Sequence, residues 1–172
     1  MKNANMRIKM FREYMAGDNL SGFLVTQPQN RRYLSGFTGS AGVLIITQAR
    51  QLLATDSRYY EQVRQECPGW ELVEVGYKFE DKMLELLLDL GLGAGNVGFE
   101  AEHVSVATLN AWQRAMHGRL VLTPTGEAVE MLRLRKDEAE VAHLKQAAAV
   151  ADEALVHVTG WMQPGMTEAQ VA

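Results

Sequence analysis

The order of apolar patterns in this 172-residue sequence predicts an α/β fold, a three-layer α/β/α arrangement around a mixed sheet. Three observations lead there. Helical stripes and short β-prone runs alternate from the first residues to about residue 123. Only Gln48-Ala49-Arg50 separates two of the β-prone runs, a gap that closes an antiparallel hairpin and is too short for a parallel crossover. Beyond Pro124 the alternation stops and an Ala-, Glu- and Leu-rich helical stretch follows with no strand after it.

Taken in order, Met6, Met10 and Tyr14, with Phe11 and Met15, recur at helical spacing until Gly17-Asp18-Asn19, residues that tolerate a left-handed cap. Gly22 to Thr26 is β-prone and closes at Gln27-Pro28-Gln29-Asn30; Arg31 to Leu34 then forms a brief helical turn. Gly36 to Gly42 carries three glycines in seven residues and reads as a loop of unusual backbone angles feeding a buried strand that ends at Thr47. The second hairpin strand is Gln51 to Thr55. Either Asp56 or Ser57 can cap the helix marked by Tyr59, Tyr60, Val63 and Cys67, which Pro68-Gly69 stops.

Trp70 to Val75 alternates at period two and reads as a strand. A helix runs from Phe79 to Leu90 on Met83, Leu84, Leu87 and Leu88, and a short strand lies at Val97-Gly98-Phe99-Glu100. A further helix from about Val104 to His117 and a last strand at Arg119 to Thr123 complete the alternation. The change of character places a domain boundary near Glu130, giving segments 1–130 and 131–172. A long helix runs from about Asp137 to Trp161, and after Gln163-Pro164-Gly165-Met166 the sequence Thr167-Glu168-Ala169-Gln170 reads as a capping box opening another. So little chain follows that the sequence is expected to stop inside a longer protein. The long helix keeps an apolar stripe (Val141, Leu144, Ala148, Ala151, Leu155, Val158) that is expected to pack on another copy, swap between chains or fray.

Composition narrows the function classes. With 47% hydrophobic residues the chain can bury one core. A net charge of -4 offers no bulk attraction to phosphate backbones or anionic membranes, so nucleic acid is not an expected partner. The longest apolar runs fall far short of a bilayer span, and no membrane association is expected. Lone Cys67 has no partner for an internal disulfide and the opening MKNANMRIKM lacks a secretory apolar stretch, which leads to the expectation of a cytoplasmic protein.

Most chemical signals have an ordinary explanation. The four histidines (103, 117, 143, 157) show no metal-ligand spacing, and Glu140 with His143 reads as an i,i+3 pair on a polar helix. Gly93 to Gly98 matches a dinucleotide fingerprint in letters, but a helix precedes it and a strand follows, the reverse of what pyrophosphate binding requires. Ser35, Ser40 and Ser57 lack a nucleophile-elbow context, and Cys67 on an apolar stripe reads as a small buried residue. Two features stand out, both at element ends: the glycine-rich loop with Phe37, and the strand-to-helix junction Thr55-Asp56-Ser57-Arg58-Tyr59. For the junction, Asp56 as helix cap paired with Arg58 is a complete structural explanation that needs no ligand.

The stretches Arg32-Tyr33-Leu34-Ser35-Gly36-Phe37-Thr38-Gly39-Ser40-Ala41-Gly42 and Ala54-Thr55-Asp56-Ser57-Arg58-Tyr59-Tyr60-Glu61-Gln62 resemble the signature of the creatinase/prolidase N-terminal domain of Xaa-Pro peptidases, the aminopeptidase P and Xaa-Pro dipeptidase family. The resemblance continues through Val97-Gly98-Phe99-Glu100, Leu132 to Glu140 and Pro164 to Glu168, the last two similar to the opening of a pita-bread catalytic domain. It implies a ribonuclease-H-like fold and a full-length metallopeptidase acting on proline-containing peptides with two divalent ions, manganese or cobalt. Those ions would be held by two Asp, one His and two Glu of a catalytic half outside this sequence. No catalytic or metal residue is therefore assigned here, no cofactor is expected in this chain, and the chain alone is expected to be inactive.

The resemblance further implies a homodimer and loops that shape substrate access. Phe37, Arg58 and Tyr59 are the substrate-access candidates, Phe37 as an apolar wall and Arg58 as a cationic or structural anchor, with Gly36, Gly39, Ser40, Gly42 and Asp56 the structural motif around them. Two other readings share the fold: a metal-free pseudo-peptidase acting as a protein-binding module, and a creatinase-like hydrolase of a small guanidino compound.

Overall fold

The computed structural model describes residues 2–76 and 78–171. They fall into two compact units divided between Arg133 and Leu134. In the first, α1 (Lys2–Gly17), β1 (Gly22–Val25), α2 (Pro28–Ser35), β2 (Val43–Thr47) and β3 (Gln51–Thr55) come in succession. A 3-10 turn (Ser57–Tyr59) then leads into α3 (Tyr60–Glu66), followed by β4 (Glu71–Glu74), α4 (Glu80–Asp89), β5 (Asn96–Glu100), α5 (Val106–Met116), β6 (Val121–Thr125) and α6 (Ala128–Leu134).

The six strands form one sheet in the order β4-β3-β2-β1-β5-β6. The pairs β1–β2 and β2–β3 are antiparallel, while β3–β4, β1–β5 and β5–β6 are parallel. The sheet is mixed for the reason the three-residue hairpin gave. Alternation along the central strands sends side chains to two cores. Phe23, Val25, Leu44, Ile46 and Leu53 pack with Phe11 and Met15 of α1, Leu34 of α2 and Val63 of α3. Leu24, Ile45, Leu52, Val97 and Phe99 pack with Met83 and Leu87 of α4 and Trp112 and Met116 of α5. Helices thus cover both faces. Each fully buried large side chain among these contributes about 1.5–3 kcal/mol of apolar transfer free energy.

Three elements differ from the sequence reading. One is α6 (Ala128–Leu134), a separate helix where no helix was expected before the long one. The turn expected at Arg31 to Leu34 is a two-turn helix, because Pro28 occupies the first helical turn, where its missing N–H is no loss, and Gly36 closes the other end at φ 84°. The last strand is Val121–Thr125 and not Arg119–Thr123. It includes Pro124 opposite Phe99, which is tolerated because β6 is an edge strand and needs no donor on its outer side.

The second unit contains α7 (Glu138–Trp161) and α8 (Glu168–Val171). Asp137 caps α7 reciprocally: its carboxylate accepts from Glu140 N at 2.9 Å while Glu140 accepts from Asp137 N at 2.9 Å. No side chain of α7 is buried, and Leu144 and Leu155 on its apolar stripe are exposed. Among the described residues no helix is long and apolar enough to cross a membrane.

Candidate functional site

The register places both sequence-selected features at one end of the sheet. Val43, where the glycine-rich loop enters β2, pairs with Ala54, one residue before the end of β3 and two before Asp56. The carboxyl end of β1 lies beside the start of β2, and β5 runs parallel to β1. The loop, the junction and Glu100 therefore share the carboxyl edge of β1, β3 and β5, the edge at which open α/β sheets present their ligands.

The loop is built from the inside. Ser35 donates its hydroxyl to Arg31 O at 2.7 Å and accepts from Phe37 N at 3.1 Å, turning the chain at Gly36, whose left-handed conformation a Cβ would strain. The Phe37 ring then enters the core, 1% exposed, with its edge toward Tyr59 at 5.8 Å between centroids. Gly39 lies directly against that ring: a Cβ there would collide with Phe37 Cζ and approach Tyr59 Cδ1 to 2.8 Å. Phe37 does not form an exposed apolar wall. The sequence could show its apolar character and its glycine neighbours, but which way the ring points depends on the core it joins with Val63 and Tyr59.

Arg31, 3% exposed, holds the loop's backbone. Its guanidinium donates to Gly39 O and Ser40 O, each at 3.1 Å, and to Gly42 O. Burial pushes its pKa down and Glu100 pushes it up; the carbonyls supply hydrogen bonds where water cannot. Thr55 Oγ1 donates to Ala41 O at 2.7 Å. Sequence reasoning misses Arg31 because a cation within a short polar helix looks solvated, and only the three carbonyls of a folded loop make its burial tolerable.

The outer side is polar. Thr38 donates through its N–H and its hydroxyl to Glu66 at 2.8 Å each, and Gln62 Nε2 donates to Thr38 Oγ1 at 2.8 Å and to Glu66 at 3.0 Å. Burial pushes the Glu66 carboxyl up, but these hydrogen bonds outweigh it and the pKa is lowered. Ser40 Oγ and Tyr59 OH are 2.7 Å apart, joining the loop to the junction.

In the junction Asp56 accepts from Arg58 N at 3.1 Å and from the Arg58 guanidinium through both carboxylate oxygens at 2.8 Å. That side-chain hydrogen bond lowers the Asp56 pKa. The Arg58 guanidinium also sits 5.2 Å from the Tyr59 ring centroid. Cys67, at the end of α3, is buried and its thiol is pushed up to about 11 by loss of solvent, with a Ser35 hydrogen bond opposing. Gly93 to Gly98 follows α4 and runs into β5, helix before strand, the order that speaks against phosphate binding. Among the described residues no group of three or more His, Cys, Asp or Glu side chains is placed to hold a metal ion.

These features define a three-layer α/β/α domain that presents a glycine-rich loop, braced by a buried guanidinium, at the carboxyl edge of a mixed sheet. Residues 7–135 match the Creatinase/Prolidase N-terminal domain, and the chain belongs to that family. It is 33% identical over 167 residues, 97% of this chain and 46% of that protein, to the uncharacterized peptidase YqhT of Bacillus subtilis (strain 168). It superposes on the Xaa-Pro dipeptidase from Bacillus anthracis with a TM-score of 0.91 at 33% identity, over 98% of this chain and 46% of that one. The N-terminal domain of cytoplasmic peptidase PepQ from Mycobacterium tuberculosis H37Rv matches with a TM-score of 0.68 at 30% identity, over 74% of this chain and 98% of that one. The chain thus spans less than half the length of the first two relatives.

Proposed function

We propose that this chain is the N-terminal domain of a proline-specific metallopeptidase, an aminopeptidase or dipeptidase cleaving Xaa-Pro peptides. The observation that carries this reading is the likeness to an Xaa-Pro dipeptidase along nearly the whole chain. In this reading residues 1–130 are the N-terminal domain and 131–172 open the catalytic one, whose two divalent ions, manganese or cobalt, supply the Lewis acidity for hydrolysis. The donor sets described above do not fit a two-ion centre, so no step of the hydrolysis is assigned to this chain. A homodimer and a cytoplasmic location complete the proposal; the likeness to the cytoplasmic peptidase PepQ supports the location.

The domain's own contribution is to shape access to the active site. Thr38, Ser40 and Arg58 are exposed and Tyr59 half-buried, so they form the candidate contact surface, with Gly36, Gly39, Gly42 and Asp56 fixing its backbone. Phe37 supports that surface from below. The test is hydrolysis of Xaa-Pro peptides with added manganese, on this chain and on the full-length protein in parallel. Activity is expected only in the longer protein, and silence in both overturns the peptidase reading. In the active protein, Thr38→Ala and Arg58→Ala are expected to change KM and peptide-length preference with kcat retained; unchanged KM and preference would remove the access role.

A further inference from the structure

The loop shares α2 with a second buried polar network that the access role does not use. Glu100, 4% exposed at the end of β5, accepts from Thr26 N at 2.7 Å, Thr26 Oγ1 at 3.1 Å, Gln27 N at 2.8 Å and Asn30 Nδ2 at 2.7 Å. Asn30 is wholly buried and serves both ends of its amide. Nδ2 also donates to Glu130 Oε1 at 2.6 Å, and Oδ1 accepts from Arg133 at 3.0 Å. The orientation of that amide is fixed by charge, since two carboxylates face the NH2 and a guanidinium faces the oxygen. Glu130 and Arg133 lie three residues apart on α6, hence on one helix face. Tyr33 OH adds a bond to Leu132 O at 3.3 Å.

Asn30 and Arg31 are consecutive on α2 and so point about 100° apart around its axis. One engages α6 and the other holds the loop carbonyls. Neither can let go of its partners without leaving a buried polar or charged group unmatched. From this geometry we infer that α2 is a coupling bar: a displacement of α6 is transmitted through Asn30 and Arg31 to the loop Gly39–Gly42. Three stretches that the sequence singled out separately, around Arg32, at Val97 to Glu100 and from Leu132, thereby meet in one device. The inference deepens the proposed role of the loop and rests on it for its functional meaning, but its test reads no activity, so the two fail separately.

The experiment is amide hydrogen exchange on the full-length protein, comparing wild type with Arg133→Met and Glu130→Met, two changes at the rim of the network that remove the donor to Asn30 Oδ1 and the acceptor for Asn30 Nδ2. Exchange is expected to quicken about tenfold or more in α6 and in the two hydrogen-bonded amides that lead into the loop, Phe37 N and Thr38 N, with the amides of β1 and β2 beyond Leu44 unchanged. Arg133→Lys, which keeps a donor to Asn30 Oδ1, is expected to restore most of the protection in both places. Faster exchange in α6 with an unchanged loop overturns the coupling, and so does uniform acceleration across the sheet, which a purely structural loss would give. No change in α6 overturns the latch itself. Should Arg133→Met fail to fold, Glu130→Met carries the same readings, because it keeps side-chain length and removes the acceptor for Asn30 Nδ2.

Discussion

Arg31 and Arg58 serve the same edge of the sheet under opposite conditions. Arg31 is 3% exposed and spends its donors on three backbone carbonyls; the Arg58 side chain is 57% exposed and pairs with one carboxylate two residues away. The first lies beneath the loop with Phe37, the second on the surface beside Ser57. The contrast teaches that position relative to solvent, more than residue type, sets what a cation is worth. A buried guanidinium holds a shape because its own donors have no water to turn to. An exposed ion pair competes with solvent and salt and adds little to stability.

The largest effect is expected inside. Phe37→Ala should cost about 3–5 kcal/mol of unfolding free energy in urea titrations, since it removes a ring in contact with Gly39 and Tyr59 and leaves a cavity. A loss under about 1 kcal/mol would place the ring outside the core and undo the comparison. Arg31→Met should cost about 3 kcal/mol by leaving the carbonyls of Gly39, Ser40 and Gly42 without a donor. Arg58→Ala, by the same measurement, should cost no more than about 1 kcal/mol, and that difference should shrink in high salt. Equal costs at the two arginines would break the contrast.

The smallest expected effect is electrostatic. Glu66 and Asp56 both titrate below their ordinary values of 4.5 and 3.8, so the folded state binds fewer protons than the unfolded one as these groups titrate. Their stabilisation is fully present above those ordinary values and is lost as pH falls through the lowered ones. Thermal unfolding followed from pH 6 downward should therefore show a decline below about pH 4.5 that Glu66→Gln makes shallower. An unchanged slope in that variant would mean that the Thr38 and Gln62 bonds do not persist in solution.

Much of the fold is legible in the sequence because it follows from local rules. Hydrophobic period separates helices from strands, Pro68-Gly69 and Gly17-Asp18-Asn19 mark ends, and the three-residue gap before Gln51 requires an antiparallel pair. Sequence and structure part where a local rule meets a tertiary exception. Pro124 argues against a strand at its own position, yet an edge strand has no need of its missing donor. Glycine spacing draws attention to the loop that Arg31 braces, but an apolar Phe37 among glycines is compatible with either a core ring or a surface wall.

By itself, then, the sequence determined the class of domain, the order and most of the bounds of its strands, and the two stretches from which a contact surface is proposed, since each of these depends on residues near one another in the chain. Only the tertiary structure decided that Phe37 points inward, that Arg31 is buried beneath three carbonyls, that Thr38 finds Glu66, and that Asn30 joins Glu100 to Glu130 and Arg133. The physical reason is that burial and hydrogen-bond satisfaction are properties of distant partners. A polar side chain that reads as solvated in sequence becomes a structural centre when folding brings it the donors and acceptors that water would otherwise supply.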